Sequence, residues 1–240
     1  MAFAYWEDKF TEGIEELRRQ LGADAELEFW ENHASILVDG SAEITRKISA
    51  INLAVGRRYF EYSSWNDPEA TPADIDALKA SRTMTVTCRE QRQGQSLETT
   101  YDNVQLPPDD ARKLNRIIHL IPLSRPGAQS TLSINDEFQI DVKEKVEVGT
   151  FKLDDYFEHQ VRHPTRKLRF EVLLPPTWNL PSRARPPLFE GVTKTGTYGE
   201  WVRHSGQPTW EQKDGRVRIR WEISHPKLLS TYSLRWHLAP

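Results

Sequence analysis

From Arg216 to Ile223 the sequence reads RVRIRWEI, with charged and apolar residues in strict turn. A side-chain period of two belongs to a strand, because successive side chains point to opposite faces of a sheet. Val217, Ile219 and Trp221 then face a core, and Arg216, Arg218 and Arg220 face away from it. Asp214-Gly215 stands just before this run, and Asp-Gly between two such runs is a strong hairpin signal. TYSLRWHL repeats the pattern near the end, with Trp236 between Arg235 and His237. RKLRFEVLLPP does so earlier, with Lys167 and Arg169 opposite Leu168 and Phe170. A chain patterned in this way must build sheets with one apolar face.

The same texture extends upstream. AELEFW and ASILVDG are separated by the polar ENH, which reads as a hairpin. AEITRKISAINL, RRYFEYSSW, RTMTVTCRE, SLETTYDNVQL, RIIHLIPL and STLSINDEFQIDV are strand-like. Two short stretches break the pattern. Thr71 and Pro72 suit the start of a helix in TPADIDALKAS, and PPDDARKLN reads as a further helical turn. At the N-terminus Trp6, Phe10, Ile14, Leu17 and Leu21 form a helical stripe that Gly22 is placed to stop. The expected fold is mainly β: two β-sandwich-like, Ig-like antiparallel modules with an N-terminal amphipathic helix and short connecting helices. The expected division is a helix over residues 1–22, a first module over 23–143 and a second over 144–240.

Composition narrows the cellular class. The 240 residues include a single cysteine, Cys88, so no internal disulfide can form. MAFAYWEDKF lacks the basic and apolar regions of a signal peptide, and no apolar run reaches membrane-spanning length. A cytoplasmic protein without a membrane partner is the expectation. Charge is uneven: residues 1–80 hold 8 Lys and Arg against 16 Asp and Glu, whereas residues 161–220 hold 12 against 5. Such asymmetry suggests a charged partner, or two parts of the chain that face each other.

Motifs for chemistry are sparse. GVTKTGTY has the glycine spacing of a phosphate loop, but Thr197 stands where a lysine is required. His159 and His163 lie four apart in EHQVRHP, yet Gln160 replaces the glutamate of a zinc protease and Pro164 would end the helix. They read as a solvated pair. Cys88 falls on the apolar side of its strand, where a thiol serves packing. Trp178 and Trp65 sit in loops, where exposed rings could stack on a ligand. These readings give no catalytic residue, metal site or cofactor.

The cations supply the best surface feature. Arg216, Arg218, Arg220, Lys167, Arg169, Arg235 and His237 all alternate with apolar residues. If their strands share a sheet, one face collects them. That face suits a protein partner or self-association first, and nucleic acid or a small anion second. The whole chain is acidic, with a net charge of −3, which counts against a polyanion. The texture of a helix followed by β-sandwich material without catalytic motifs resembles accessory or sensor modules of bacterial signalling and defence proteins. A non-catalytic interaction or sensing module is therefore expected, ahead of a hydrolase with a dispersed site.

Overall fold

The computed structural model describes residues 25–53, 59–65, 84–92, 95–102, 116–122, 134–146, 149–176, 178, 188–196 and 199–238. Strands β1 (Ala25–Ile36), β2 (Ala42–Asn52), β3 (Tyr59–Trp65), β4 (Met84–Arg92), β5 (Gln95–Asp102), β6 (Arg116–Pro122) and β7 (Glu137–Val146) come first. They are followed by β8 (Asp154–Gln160), β9 (Thr165–Leu174), β10 (Leu188–Thr195), β11 (Val202–Arg203), β12 (Thr209–Lys213), β13 (Arg216–Ser224) and β14 (Ser230–His237). The expected helices over 1–22, 71–81 and 107–115 lie outside the described residues.

The expected hairpin within AELEFW–ENH–ASILVDG is not formed. These residues make one continuous strand, β1. A bulge at Glu28 resets the alternation, so Trp30, Asn32, Ala34 and Ile36 turn inward, and Glu31 and His33 outward. The polar triplet misled because Asn32 is accommodated inside, where its Oδ1 accepts from Trp30 Nε1 at 2.9 Å. The turn falls later, at Val38–Ser41. There Gly40 adopts φ +78°, and the Asp39 carboxylate accepts from both the backbone N–H and the hydroxyl of Ser41.

Eight strands form one large sheet in the order β12-β13-β9-β1-β2-β7-β4-β5. Four form a smaller sheet, β11-β10-β14-β8, and β3 pairs with β6. The fold is thus mainly β, with two principal sheets. Pairing is antiparallel except between β1 and β9, which run parallel from Leu27↔Thr165 to Ser35↔Leu173. That junction corrects the expectation of wholly antiparallel modules. A division at 143/144 falls inside β7, and the large sheet takes strands from both sides of it.

The small sheet packs on the inner face of the large one. Phe157 of β8 meets Phe170 of β9 edge-on at 6.1 Å, and Tyr232 of β14 meets Trp221 of β13 at 6.1 Å. Trp221 and Trp236 are 2 % and 0 % exposed. Their indole N–H groups are satisfied by the Gly206 and Lys152 carbonyls, which makes such burial tolerable. Gly191 is required opposite Trp221: a Cβ there would stand 2.6 Å from the indole ring. Phe60 of β3 lies against Phe138 of β7 at 5.8 Å, extending the core beneath the other half of the large sheet. One ion pair is enclosed there, Arg46 donating to Glu144 at 2.7 Å.

Candidate interaction surface

Alternation alone orients the cations of β9 and β13. Leu168, Phe170, Val172, Val217, Ile219 and Trp221 are buried, so their neighbours in sequence project from the opposite, outer face. The register then sets Arg220 beside Glu171 and Glu222 beside Arg169. Lys167, Arg169, Arg216, Arg218 and Arg220 therefore do share one face, as expected. The hairpin between β12 and β13 turns on Asp214 and Gly215, both at positive φ, the geometry that Asp-Gly favours.

The face is a ladder of alternating charge. Arg169 donates to Glu222 at 2.8 Å and to Glu31 of β1 at 3.1 Å. Lys167 lies 3.2 Å from the other Glu222 oxygen. Arg220 donates to Glu171 at 2.8 Å, and Arg218 lies 3.5 Å from the same carboxylate. Glu211 of β12 stands 3.4 Å from Arg218 and 3.8 Å from Arg220. Hydrogen bonds from Arg169 and then Lys167 hold the Glu222 carboxyl below its ordinary pKa. Arg216 differs, because it reaches over the sheet to donate to the Ile36 carbonyl, the Ser35 hydroxyl and the Leu174 carbonyl. It is a structural tie more than a surface charge.

Arg235 and His237 do not join this face. They belong to β14, in the small sheet, and point away from the large one. His237 Nδ1 lies 2.5 Å from Asp154 Oδ1 on the neighbouring strand. The Arg235 guanidinium sits 4.7 Å from the centroid of the Trp201 ring, and Lys194 Nζ lies 4.8 Å from the same ring. Lys194 and Trp201 carried no sequence signal of this role. Only the pairing of β10 with β14 and the short strand β11, which follows Trp201 directly, bring them to Arg235.

Two other expectations change. His159 and His163 are not a solvated pair. His159 turns inward against Trp30 at 4.4 Å, and His163 stacks on Phe60 at 5.2 Å. Desolvation, with Arg46, His163 and Arg162 nearby, pushes the His159 imidazole down to about 3, so it is neutral at physiological pH. Trp178 packs against the hydrophobic core, which removes it as a free stacking plate. The side chain of Trp65 lies outside the described residues. Among the described residues no group of His, Cys, Asp and Glu could hold a metal ion. None of their helices is long and apolar enough to cross a membrane.

No protein-family profile and no curated protein sequence matches the chain. Among solved structures it is similar to a proposed protease from Parabacteroides distasonis, with a TM-score of 0.55 and 13% identity. The likeness covers 89% of this chain and 40% of that protein, so it is a likeness of fold to part of a longer chain.

Proposed function

We propose that this chain is a non-catalytic protein-interaction or sensing module that recognises a protein surface through the outer face of β9 and β13. The observation that carries the reading is the ladder itself. Arg169, Lys167, Arg220, Glu222 and Glu211 are between 42% and 52% exposed and alternate in sign across one sheet face. A mosaic of that kind complements a mosaic on another protein and rejects surfaces of the wrong pattern. It suits nucleic acid poorly, since neighbouring carboxylates cancel most of the field that a phosphate backbone would need. The packing of the small sheet on the large one supports a sandwich description. The single cysteine is in keeping with a cytoplasmic setting.

The test is a triple variant, Lys167→Glu, Arg169→Glu and Arg220→Glu, compared with wild type for folding and partner capture. Arg216 is left intact, because its hydrogen bonds hold strands together. Exposed pairs contribute little to stability, so the variant should fold. Capture should be lost, and wild-type capture should weaken as salt rises. A folded variant that captures its partner at full strength overturns the reading. The likeness to a proposed protease brings a fold at 13% identity and no activity. Cleavage of an unfolded protein substrate by the purified chain would favour the hydrolase reading instead.

A further inference from the structure

Strand β12 ends the large sheet, with β13 on one side and no strand on the other among the described residues. The hairpin decides which of its backbone groups are already used. A two-residue turn at Asp214-Gly215 makes Lys213 and Arg216 a hydrogen-bonded pair, and such pairs alternate along an antiparallel ladder. Lys213, Glu211 and Thr209 therefore turn their N–H and C=O groups toward β13. Trp210 and Gln212 turn theirs away from it, along the rim of the sheet. Thr209, Trp210, Glu211 and Gln212 are all exposed, so that rim lies open to solvent. The edges of the small sheet are protected: β11 has two residues, and β8 carries Asp154, Asp155 and Glu158. Strand β12 has a single carboxylate, no proline and no bulge in its pairing.

We propose that β12 is a dimerisation edge, paired antiparallel with the β12 strand of a second copy about a two-fold axis through Glu211. In that register Trp210 lies opposite the second copy's Gln212. Each such pair exchanges both backbone hydrogen bonds, so every outward-turned group is used. A shift by two residues one way sets Gln212 against Pro208, which has no N–H; the other way sets Trp210 against Asp214 in the turn. Glu211 then meets its own counterpart. Like charges so placed repel, but each carboxylate arrives with Arg218 at 3.4 Å and Arg220 at 3.8 Å. On the inner side Trp210 is 47% exposed, and its ring contact is with Phe189 at 5.5 Å. The second copy's Gln212 covers its open flank and offers an amide oxygen to the indole N–H. Any extended strand would satisfy the backbone groups. The register that matches itself and the neutralised carboxylates favour a second copy, and a closed two-fold pair is the commonest oligomer. Inner residues pair with inner residues, so the two large sheets become one, with both charged ladders on the same side. Joint action of those ladders on one partner, unlike the dimer, rests on the proposed function.

Sedimentation velocity of the whole chain from about 1 to about 200 µM tests the dimer, since so short an edge belongs to the weak end of interfaces. We expect a reversible monomer–dimer equilibrium within that range. Gln212→Pro removes an outward-turned N–H and leaves the β13 ladder whole, a change that edge strands tolerate. It should weaken the dimer about tenfold or more. Glu211→Cys reads the register. Cα atoms roughly 4.5 Å apart across a non-hydrogen-bonded pair suit a disulfide, so mild oxidation should yield a covalent dimer. Thr209→Cys should not, because its counterpart stands roughly 14 Å away. If Gln212→Pro does not fold, the two cysteine variants decide alone. A chain that is monomeric throughout the range overturns the proposal. So does a folded Gln212→Pro that dimerises as wild type does, or equal cross-linking through position 209. Gln212→Pro leaves Lys167, Arg169 and Arg220 in place, so loss of the dimer and loss of partner capture are read separately.

Discussion

At the scale of single residues, the most consequential side chains are polar ones that the core has taken in. Asn32, His159 and the Arg46–Glu144 pair sit among Trp30, Phe60 and Phe157. His159 ties this interior to pH. Its pKa is depressed from 6.5 to about 3, so between those values the unfolded chain binds a proton that the native one refuses. Its contribution to stability is whole above 6.5 and is lost as pH falls toward 3. By pH 5 the loss is about 2 kcal/mol. Asp155 and Glu158, both raised by desolvation, pull the other way, so the comparison must isolate the imidazole. Urea midpoints at pH 7 and pH 5 should fall less for a folded His159→Gln than for wild type. Equal falls would remove His159 as the cause. None of this was legible in EHQVRHP, because spacing in sequence does not say which strand will lie across from a residue. Gly191 was hidden for the same reason, since its need arises from Trp221, which reaches it from the other sheet.

At the scale of elements, alternation was a sound guide to which side of a strand faces the core. Val217, Ile219, Trp221, Leu234 and Trp236 are buried as their period required. It could not say which strands are neighbours. The cations of β9 and β13 came together because those strands pair, whereas β14 carries Arg235 and His237 into another sheet. Nor could it reveal that Arg216 and Arg220, two turns of one pattern, do different work. Arg216 joins the start of β13 to the ends of β9 and β1 through three acceptors. Arg220 is half exposed and meets carboxylates at the surface. Arg216→Met should therefore cost about 1–3 kcal/mol, since it strips acceptors near the sheet of their donor. Arg220→Met should cost less than about 1 kcal/mol. Chemical denaturation of the two variants checks the order, and an equal or reversed cost would show that the Arg216 tie carries no weight.

At the scale of the whole molecule, the parallel junction of β1 and β9 governs how the chain holds together. It lies inside the large sheet, with β13 and β12 beyond β9 on one side and β2, β7, β4 and β5 beyond β1 on the other. A fragment of residues 147–240 would keep β8 through β14 but would expose the edge of β9 where β1 belongs. We expect that fragment to show no cooperative urea transition by circular dichroism, and a sharp two-state transition would show that the C-terminal part stands alone. The sequence marked no such dependence, because pairing between distant strands leaves no local trace. The junction also has a consequence for biosynthesis. β9 ends at Leu174, long after β1 ends at Ile36. At the usual pace of translation a nascent chain holds β1 without that neighbour for on the order of ten seconds. Through that interval β1 offers an open edge to any other extended segment, including the same strand on an adjacent nascent chain. Crowded polysomes are thus where this chain is most exposed to mispairing, and slower synthesis beyond β2 would lengthen the risk.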